Sequence, residues 1–301
     1  MRPKRSRRPL QADTHGRSAP ARSTVWPMGE IVQWNVVRPP RLLRRAPKRL
    51  HRFISRPEDN VGDLLGPVVV RLLLAQRGLP EGMLPAGRLL TVGSIMHLAR
   101  PGDVVWGSGR NARVSDANHH LDDLDVRAVR GPLTREWLQG NGVACPEVFG
   151  DPALLLPGLR PDLVKLSASK RHRVTFVRHF DDVPSLPRRG VTVRSARGDA
   201  EALLRTIVQS ELVVSTSLHG VVVAEAFGVP ARAIRNRFEP EFKFSDYFAA
   251  TGRPGAQRLA SLDDAIAAGG EQAIVFDPAP LLAAFPWDMF SPAAGGAECR
   301  S

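Results

Sequence analysis

From residue 60 onward, short apolar runs that end in glycine alternate with stretches whose apolar residues recur at helical spacing. Leu89-Leu90-Thr91-Val92 and Asp103-Val104-Val105-Trp106 read as buried strands, and 126–129 as a third. The segment 63–76 reads as a helix stopped by Gly78 and Pro80, and 132–139 as a helix with Pro132 at its start and Gly140 at its end. A second series opens at Arg173-Val174-Thr175-Phe176-Val177. It continues with strand 191–193, helix 200–209, strand 212–214, helix 220–227 and strand 231–234. Apolar strands alternating with helices specify parallel sheets covered by helices. Two such series, split near residues 157–170, predict an α/β chain of two doubly wound Rossmann-like domains, one over 27–160 and one over 170–275. Ile31-Val32-Gln33-Trp34 is a further short strand, and 276–301 is left as a C-terminal tail. Ligands of such folds bind beyond the carboxyl ends of strands, often between domains.

The flanking segments carry the charge. The chain of 301 residues has a net charge of +12, but residues 1–57 hold 15 Lys/Arg against two Asp/Glu, and the remainder holds 27 against 28. The folded body is thus nearly neutral. No basic face is left for nucleic acid, and the aromatics do not interleave with basic residues as a stacking platform needs. Residues 1–26 lack periodicity and read as a disordered basic tail. Residues 38–57 form a basic, proline-punctuated insertion with Leu42, Leu43, Leu50, Phe53 and Ile54 between the charges. The insertion reads as a solvated, partly ordered segment, with a patch for anionic lipid as the sharper alternative. The basic start is followed by Gln11-Ala12-Asp13-Thr14-His15-Gly16, which is not the apolar core of an export signal. No run approaches the ~18 apolar residues of a membrane span. Two cysteines, Cys145 and Cys299, make no CxxC pair and no disulfide framework. The expectation is a cytoplasmic protein, in peripheral contact with the inner face of the membrane.

The most informative stretch is 212–230. A buried strand runs into Ser215-Thr216-Ser217, then Leu218-His219-Gly220, then a helix closed by Gly228 and Pro230. Any of the three hydroxyls can cap that helix, leaving its first N–H groups to hold an anion. His219 falls in the first turn, at a strand's carboxyl end, where acid–base chemistry and a buried structural role are the two readings. Gly107-Ser108-Gly109 is a second strand end, with glycines that allow close approach and a hydroxyl that can donate. No GxGxxG or GxxxxGK[ST] accompanies it, so neither dinucleotide nor P-loop chemistry is indicated. Arg130 closes a third strand and Arg135 lies on the helix that follows. Guanidinium groups there suit a carboxylate or phosphate, or else make surface ion pairs. Asp151, in Gly150-Asp151-Pro152-Ala153, can receive a sugar hydroxyl or cap the next turn. His119-His120 with Asp122-Asp123 lacks the spacing of a metal site. The absence of a GxSxG elbow argues against an α/β-hydrolase.

Taken in order, Asn60-Val61-Gly62-Asp63, Gly107-Ser108-Gly109, Val129-Arg130-Gly131-Pro132-Leu133-Thr134, Gly150-Asp151-Pro152-Ala153 and 215–230 resemble the polysaccharide pyruvyl transferase family over roughly residues 58–250. The set is specific, although no single piece is. The resemblance implies a glycosyltransferase-B-like pair of domains with the active site in the interdomain cleft. It implies phosphoenolpyruvate as donor, a saccharide acceptor within a polysaccharide or its lipid-linked precursor, and a pyruvate ketal as product. It also implies His219 and Arg130 as catalytic residues. Around them, Asn60, Gly62, Asp63, Gly107, Ser108, Arg135, Asp151, Thr216, Ser217, Leu218, Gly220 and Lys243 are the candidates for holding substrate. The chemistry calls for no cofactor, since phosphoenolpyruvate is itself a substrate, and no metal is indicated. A nucleotide-sugar glycosyltransferase of the same architecture and a non-catalytic glycan-assembly protein are the competing readings.

Removing residues 1–25 deletes seven basic side chains: Arg2, Lys4, Arg5, Arg7, Arg8, Arg17 and Arg22. Each contributes about 1 kcal/mol when close to an anionic bilayer. Co-sedimentation with anionic vesicles is expected to weaken on this truncation at low salt, and the difference to shrink as salt rises. Equal binding at low salt would make the tail a solubilising extension.

Overall fold

The computed structural model describes residues 29–34, 36–38, 56–58, 60–80, 82–179, 181, 182 and 188–290. The basic tail, 1–26, lies outside them, as does 39–55 of the insertion. Strand β1 (Glu30–Val32) precedes a short antiparallel ribbon, β2 (Val36–Arg38) with β3 (Arg56–Glu58), which closes the base of the insertion. The first large sheet has the order β1-β4-β5-β6, with β4 at Arg88–Leu90, β5 at Val104–Ser108 and β6 at Asp125–Val129, all parallel. The second has the order β10-β9-β7-β8, from β7 (His172–Arg178), β8 (Val191–Ser195), β9 (Ser210–Ser215) and β10 (Ala231–Ala233), again all parallel.

The strand orders refine the expectation of two doubly wound domains. In the second sheet the order reverses between β7 and β9, as in a doubly wound fold. The described strands of the first sheet follow chain order, so among the described strands the reversal lies in the second sheet. A crevice opens beyond the carboxyl ends of strands where such an order reverses, because the chain leaves in opposite directions there.

Helix α1 runs Val61–Gln76, two residues longer at its start than the periodicity predicts. The cause is Asn60, whose side chain accepts from the Gly62 N–H at 3.3 Å and caps the first turn. The other α-helices among the described residues are α2 (Pro132–Gly140), α3 (Leu156–Leu159), α4 (Pro161–Ser167), α5 (Ala200–Val208), α6 (Leu218–Ala226), α7 (Phe242–Ala250), α8 (Leu262–Ala268) and α9 (Pro278–Ala283). One apolar core joins the two series. Leu65, Val69 and Leu73 of α1 share it with Leu203 and Leu204 of α5, Val221 of α6 and Phe244 of α7. Residues 276–290, set apart as a tail by the sequence reading, pack back on the first sheet. The indole N–H of Trp106 donates to the Leu281 carbonyl at 2.9 Å, and Phe285 meets the Trp106 ring edge-on at 4.9 Å. No helix among the described residues is long and apolar enough to cross a membrane.

A second tie between the series is ionic. Arg130, at the end of β6, has no solvent exposure, and neither has Asp246 on α7. Arg130 Nε donates to Asp246 Oδ2 at 3.0 Å and Nη2 lies 2.9 Å from the same oxygen. Asp246 also accepts from the backbone N–H of Thr134 at 2.9 Å and from its hydroxyl at 2.7 Å, which anchors the first turn of α2. A buried pair contributes modestly, but removing one partner strands the other's charge. Asp246→Ala is therefore expected to lower stability by about 3–5 kcal/mol in urea denaturation. A loss below 1 kcal/mol, at the level of an exposed pair, would show that water reaches Arg130.

Candidate active site

The reversal point of the second sheet is where the sequence candidates meet. β9 ends at Ser215, whose hydroxyl donates to the carbonyls of Val177 and Ser217 and accepts from the Ser217 N–H at 2.9 Å. Ser215 thereby shapes the turn, while Ser217 takes the N-cap position of α6 without a side-chain cap bond. A Cβ on Gly220 would strike the Ser215 hydroxyl, so only glycine lets α6 start this close to the strand. Thr216 is occupied as well: its hydroxyl donates to Asp182 Oδ2 at 2.5 Å and accepts from the His179 N–H at 2.8 Å.

His219 then projects from the first turn of α6, with its side chain 14% exposed. Its Nε2 lies 3.5 Å from Oδ2 of the fully buried Asp151. The other oxygen of Asp151 accepts from the Ala153 N–H at 3.0 Å, so one carboxylate both caps a turn and backs the imidazole. Neither His219 Nε2 nor Asp151 Oδ2 has a hydrogen-bond partner among the described residues. Asp151 Oδ2 faces Nε2 without a hydrogen bond between them, and Nδ1 is turned toward α1. That nitrogen sits beside Gly62: a Cβ at residue 62 would collide with it. Asp63 lies in the same first turn of α1.

In front of His219 is a cavity of about 50 Å³, lined among others by Trp34, Asn60, Ser94, Arg110, Asn111, Arg113, His179, Ser217, Leu218, Glu239 and Lys243. Of the sequence candidates, Asn60, Ser217, Leu218, His219 and Lys243 come together there. Gly62, Asp151 and Gly220 support it from behind. The others are used elsewhere. Ser108 is fully buried and donates to the Gly93 carbonyl at 3.1 Å, so it holds a turn and is not presented to a ligand. Gly107, at φ +87°, has Pro152 where a Cβ would be. Arg135 donates to the Cys145 carbonyl at 3.2 Å and does not line the cavity. Arg130 is engaged by Asp246 and reaches the cavity wall only through Ser94, to whose hydroxyl its Nη1 donates at 2.7 Å. Its guanidinium has no solvent exposure and does not line the cavity.

Sequence reasoning missed Arg110, Arg113, His179 and Glu239. Arg110 is held by Asp116 at 2.7 Å and lies over the Trp137 and Phe242 rings. His179 follows the end of β7, so the rule that flagged His219 at the end of β9 applies to it equally. Glu239, on a loop, carries no such signal. It is buried with His179 Nε2 at 2.5 Å from Oε1 and Lys243 on Oε2. Burial alone would raise its carboxyl, but Lys243 and His179 outweigh that and hold it far below the usual carboxylate range. A larger cavity of about 670 Å³ lies elsewhere, walled by Leu154, Leu159, Ala226, Ile274, Phe276 and other residues. It shares no residue with the His219 site, and its mainly apolar lining offers little for acid–base work.

Among the described residues no three His, Cys, Asp or Glu side chains converge as a metal cluster. An imidazole backed by a carboxylate, beside two helix N-termini and several cations, suits proton transfer to an anionic ligand. Comparison with known proteins agrees with the motifs. Residues 104–237 match the polysaccharide pyruvyl transferase family. The matched segment contains Arg130, Asp151, His179 and His219, whereas Asn60, Glu239 and Lys243 come from outside it. Over 174 residues the chain is 31% identical to the succinoglycan biosynthesis protein ExoV of Rhizobium meliloti (strain 1021), covering 54% of this chain and 53% of that protein. The chain thus spans about half the length of that relative. A crystal structure of an uncharacterized Klebsiella pneumoniae protein aligns with 68% of this chain and 90% of its own, at 12% identity and a TM-score of 0.43.

The contact between Gly62 and His219 sets two effects against each other. Gly→Ala inside a helix ordinarily stabilises by about 1 kcal/mol. Here the added methyl must displace the imidazole, and overpacking costs about 1–3 kcal/mol. Gly62→Ala is expected to be net destabilising in urea denaturation. A stabilised variant would show that the imidazole does not rest on α1.

Proposed function

We propose that this protein transfers the enolpyruvyl group of phosphoenolpyruvate to two hydroxyls of a sugar, forming a pyruvate ketal and releasing phosphate. The observation that carries the reading is the His219–Asp151 pair at the start of α6, in a cavity edged by Arg113 and Lys243, with the family match over residues 104–237.

The chemistry uses these residues in turn. The donor's phosphate and carboxylate need cationic and N–H partners, which Lys243, Arg113 and the first turn of α6 supply. His219 delivers a proton to the methylene carbon as the first sugar oxygen adds to the neighbouring carbon, and the proton of that hydroxyl returns to His219. The C–O bond to phosphate then breaks, and the second hydroxyl adds to the resulting cation and loses its proton. An imidazole can both give and take a proton, which is what the two halves of the reaction require. Asp151, 3.5 Å behind the imidazole, holds the ring in its orientation. In this reading the two sheets form a glycosyltransferase-B-like pair with the site in the cleft between them. The acceptor is an exopolysaccharide or its lipid-linked precursor, in keeping with the succinoglycan role of the Rhizobium relative. The basic N-terminal segment brings the enzyme to the inner face of the membrane.

Incubation with phosphoenolpyruvate and a panel of lipid-linked or p-nitrophenyl sugars is expected to release phosphate and add one pyruvyl unit to an acceptor. His219→Ala should lose about 10²–10⁴-fold in rate while remaining folded. A folded His219→Ala protein with near-normal turnover would remove His219 from the mechanism. Consumption of a nucleotide sugar in place of phosphoenolpyruvate would favour the glycosyltransferase reading.

A further inference from the structure

Glu239 is an acid in the wrong place for a site that binds an anion. It lines the cavity beside Ser217 and His219, yet it is only 7% exposed. The cationic groups that a phosphate or carboxylate would seek are turned toward it. Lys243 contacts Oε2, His179 Nε2 is 2.5 Å from Oε1, and Arg113 Nη1 is 3.7 Å from Oε1. Arg113 also faces Asp181 at 3.9 Å. Both Arg113 distances exceed a hydrogen bond, and its side chain is 35% exposed, so it is near its partners without being locked to them. The backbone of the loop is fixed independently of the carboxylate. Asn236 accepts from the N–H groups of Phe238 and Glu239 at 3.2 and 2.9 Å, and Arg258 donates to the Glu239 carbonyl at 2.9 Å. The side chain can therefore turn aside without unravelling the loop that carries it.

We propose that Glu239 is a resident counter-anion, which stands in the empty site where an anionic group of the donor binds and is displaced from Lys243 and Arg113 when the donor arrives. Its presence solves a problem of burial: cations gathered in a half-closed cavity are costly unless an opposite charge answers them. It also sets a threshold for ligands. A small mono-anion gains little by replacing a carboxylate already well held. A ligand with two anionic groups, such as an enol phosphate bearing a carboxylate, gains a second contact at the start of α6 and displaces Glu239 at a net profit.

This inference rests on the reading of the cavity as the donor site, but binding tests it without turnover. The probe is inorganic phosphate, titrated calorimetrically into the full chain. Glu239→Gln keeps an oxygen to accept from His179 and removes the charge, and it is expected to bind phosphate about tenfold more tightly, with Lys243→Met binding more weakly than wild type. Glu239→Asp, which withdraws the carboxylate by one methylene, is expected to tighten binding by a smaller factor and serves if the Gln variant does not fold. Circular dichroism checks each fold. Unchanged or weaker phosphate binding in the folded Glu239 variants would overturn the proposal and leave Glu239 as a structural partner of His179. Tighter binding in protein that makes no pyruvylated sugar would uphold the displaced carboxylate and refute only the proposed reaction.

Discussion

Arg130 carries a charge that water does not reach. A guanidinium stays ionised at any ordinary pH, so burying it obliges the fold to place an anion and hydrogen-bond acceptors around it. Asp246 answers the charge, and Asp246 and Ser94 accept from Nε and Nη1. Because Asp246 belongs to α7 and also holds the first turn of α2, satisfying one charge fixes where α7 crosses the end of β6. Two glycines are forced by this arrangement. A Cβ on Gly109 would overlap the Arg130 guanidinium, and one on Gly131 would overlap the Asp246 backbone. Lys243, in the first turn of α7, inherits its place at the cavity from the same pair.

The imidazole of His219 is held by a second set of constraints. Gly62 on α1 closes one side of the ring, Asp151 closes another, and Ser215 fixes the turn from which α6 starts. These supports come from both sheets and from α1, so the position of one acid–base group depends on how the two series pack. The shared core of α1, α5, α6 and α7 gives that packing its rigidity, since close-packed interiors resist small displacements. Burial and pairing also divide the labour of the cations. Arg130 and Arg135 are paired away from the cavity, whereas Arg113 and Lys243 line it with Glu239 between them.

Much of this was legible in the chain. Most strands of the parallel sheets announce themselves as short apolar runs, and strand ends drew attention to Arg130, Asp151 and His219. Their chemical roles were less legible. Arg130 at the end of a strand looks like an anion clamp until Asp246 is seen to neutralise it, a pairing across 116 residues that no local pattern encodes. Asp151 reads as a turn cap, which it is, but its second oxygen faces an imidazole far along the sequence. Ser215 and Ser217 are equivalent on paper, and the choice between them depends on which hydroxyl the strand end buries. Residues 278–290 have too little periodicity to predict a helix returning to Trp106. The reversal of strand order in the second sheet, and its absence among the described strands of the first, depends on pairing between strands, which is not written in either one alone.

The central claim is that the donor's methylene carbon is protonated while a sugar oxygen adds beside it. Isotope placement reads this directly. Transfer is run in D₂O with unlabelled phosphoenolpyruvate and an acceptor sugar, and the ketal methyl group is examined by NMR and mass spectrometry. The account predicts a methyl group carrying one solvent-derived deuterium, with release of inorganic phosphate. A pyruvylated product whose methyl group contains no deuterium, or acceptance only of a sugar unit from a nucleotide donor, would contradict it.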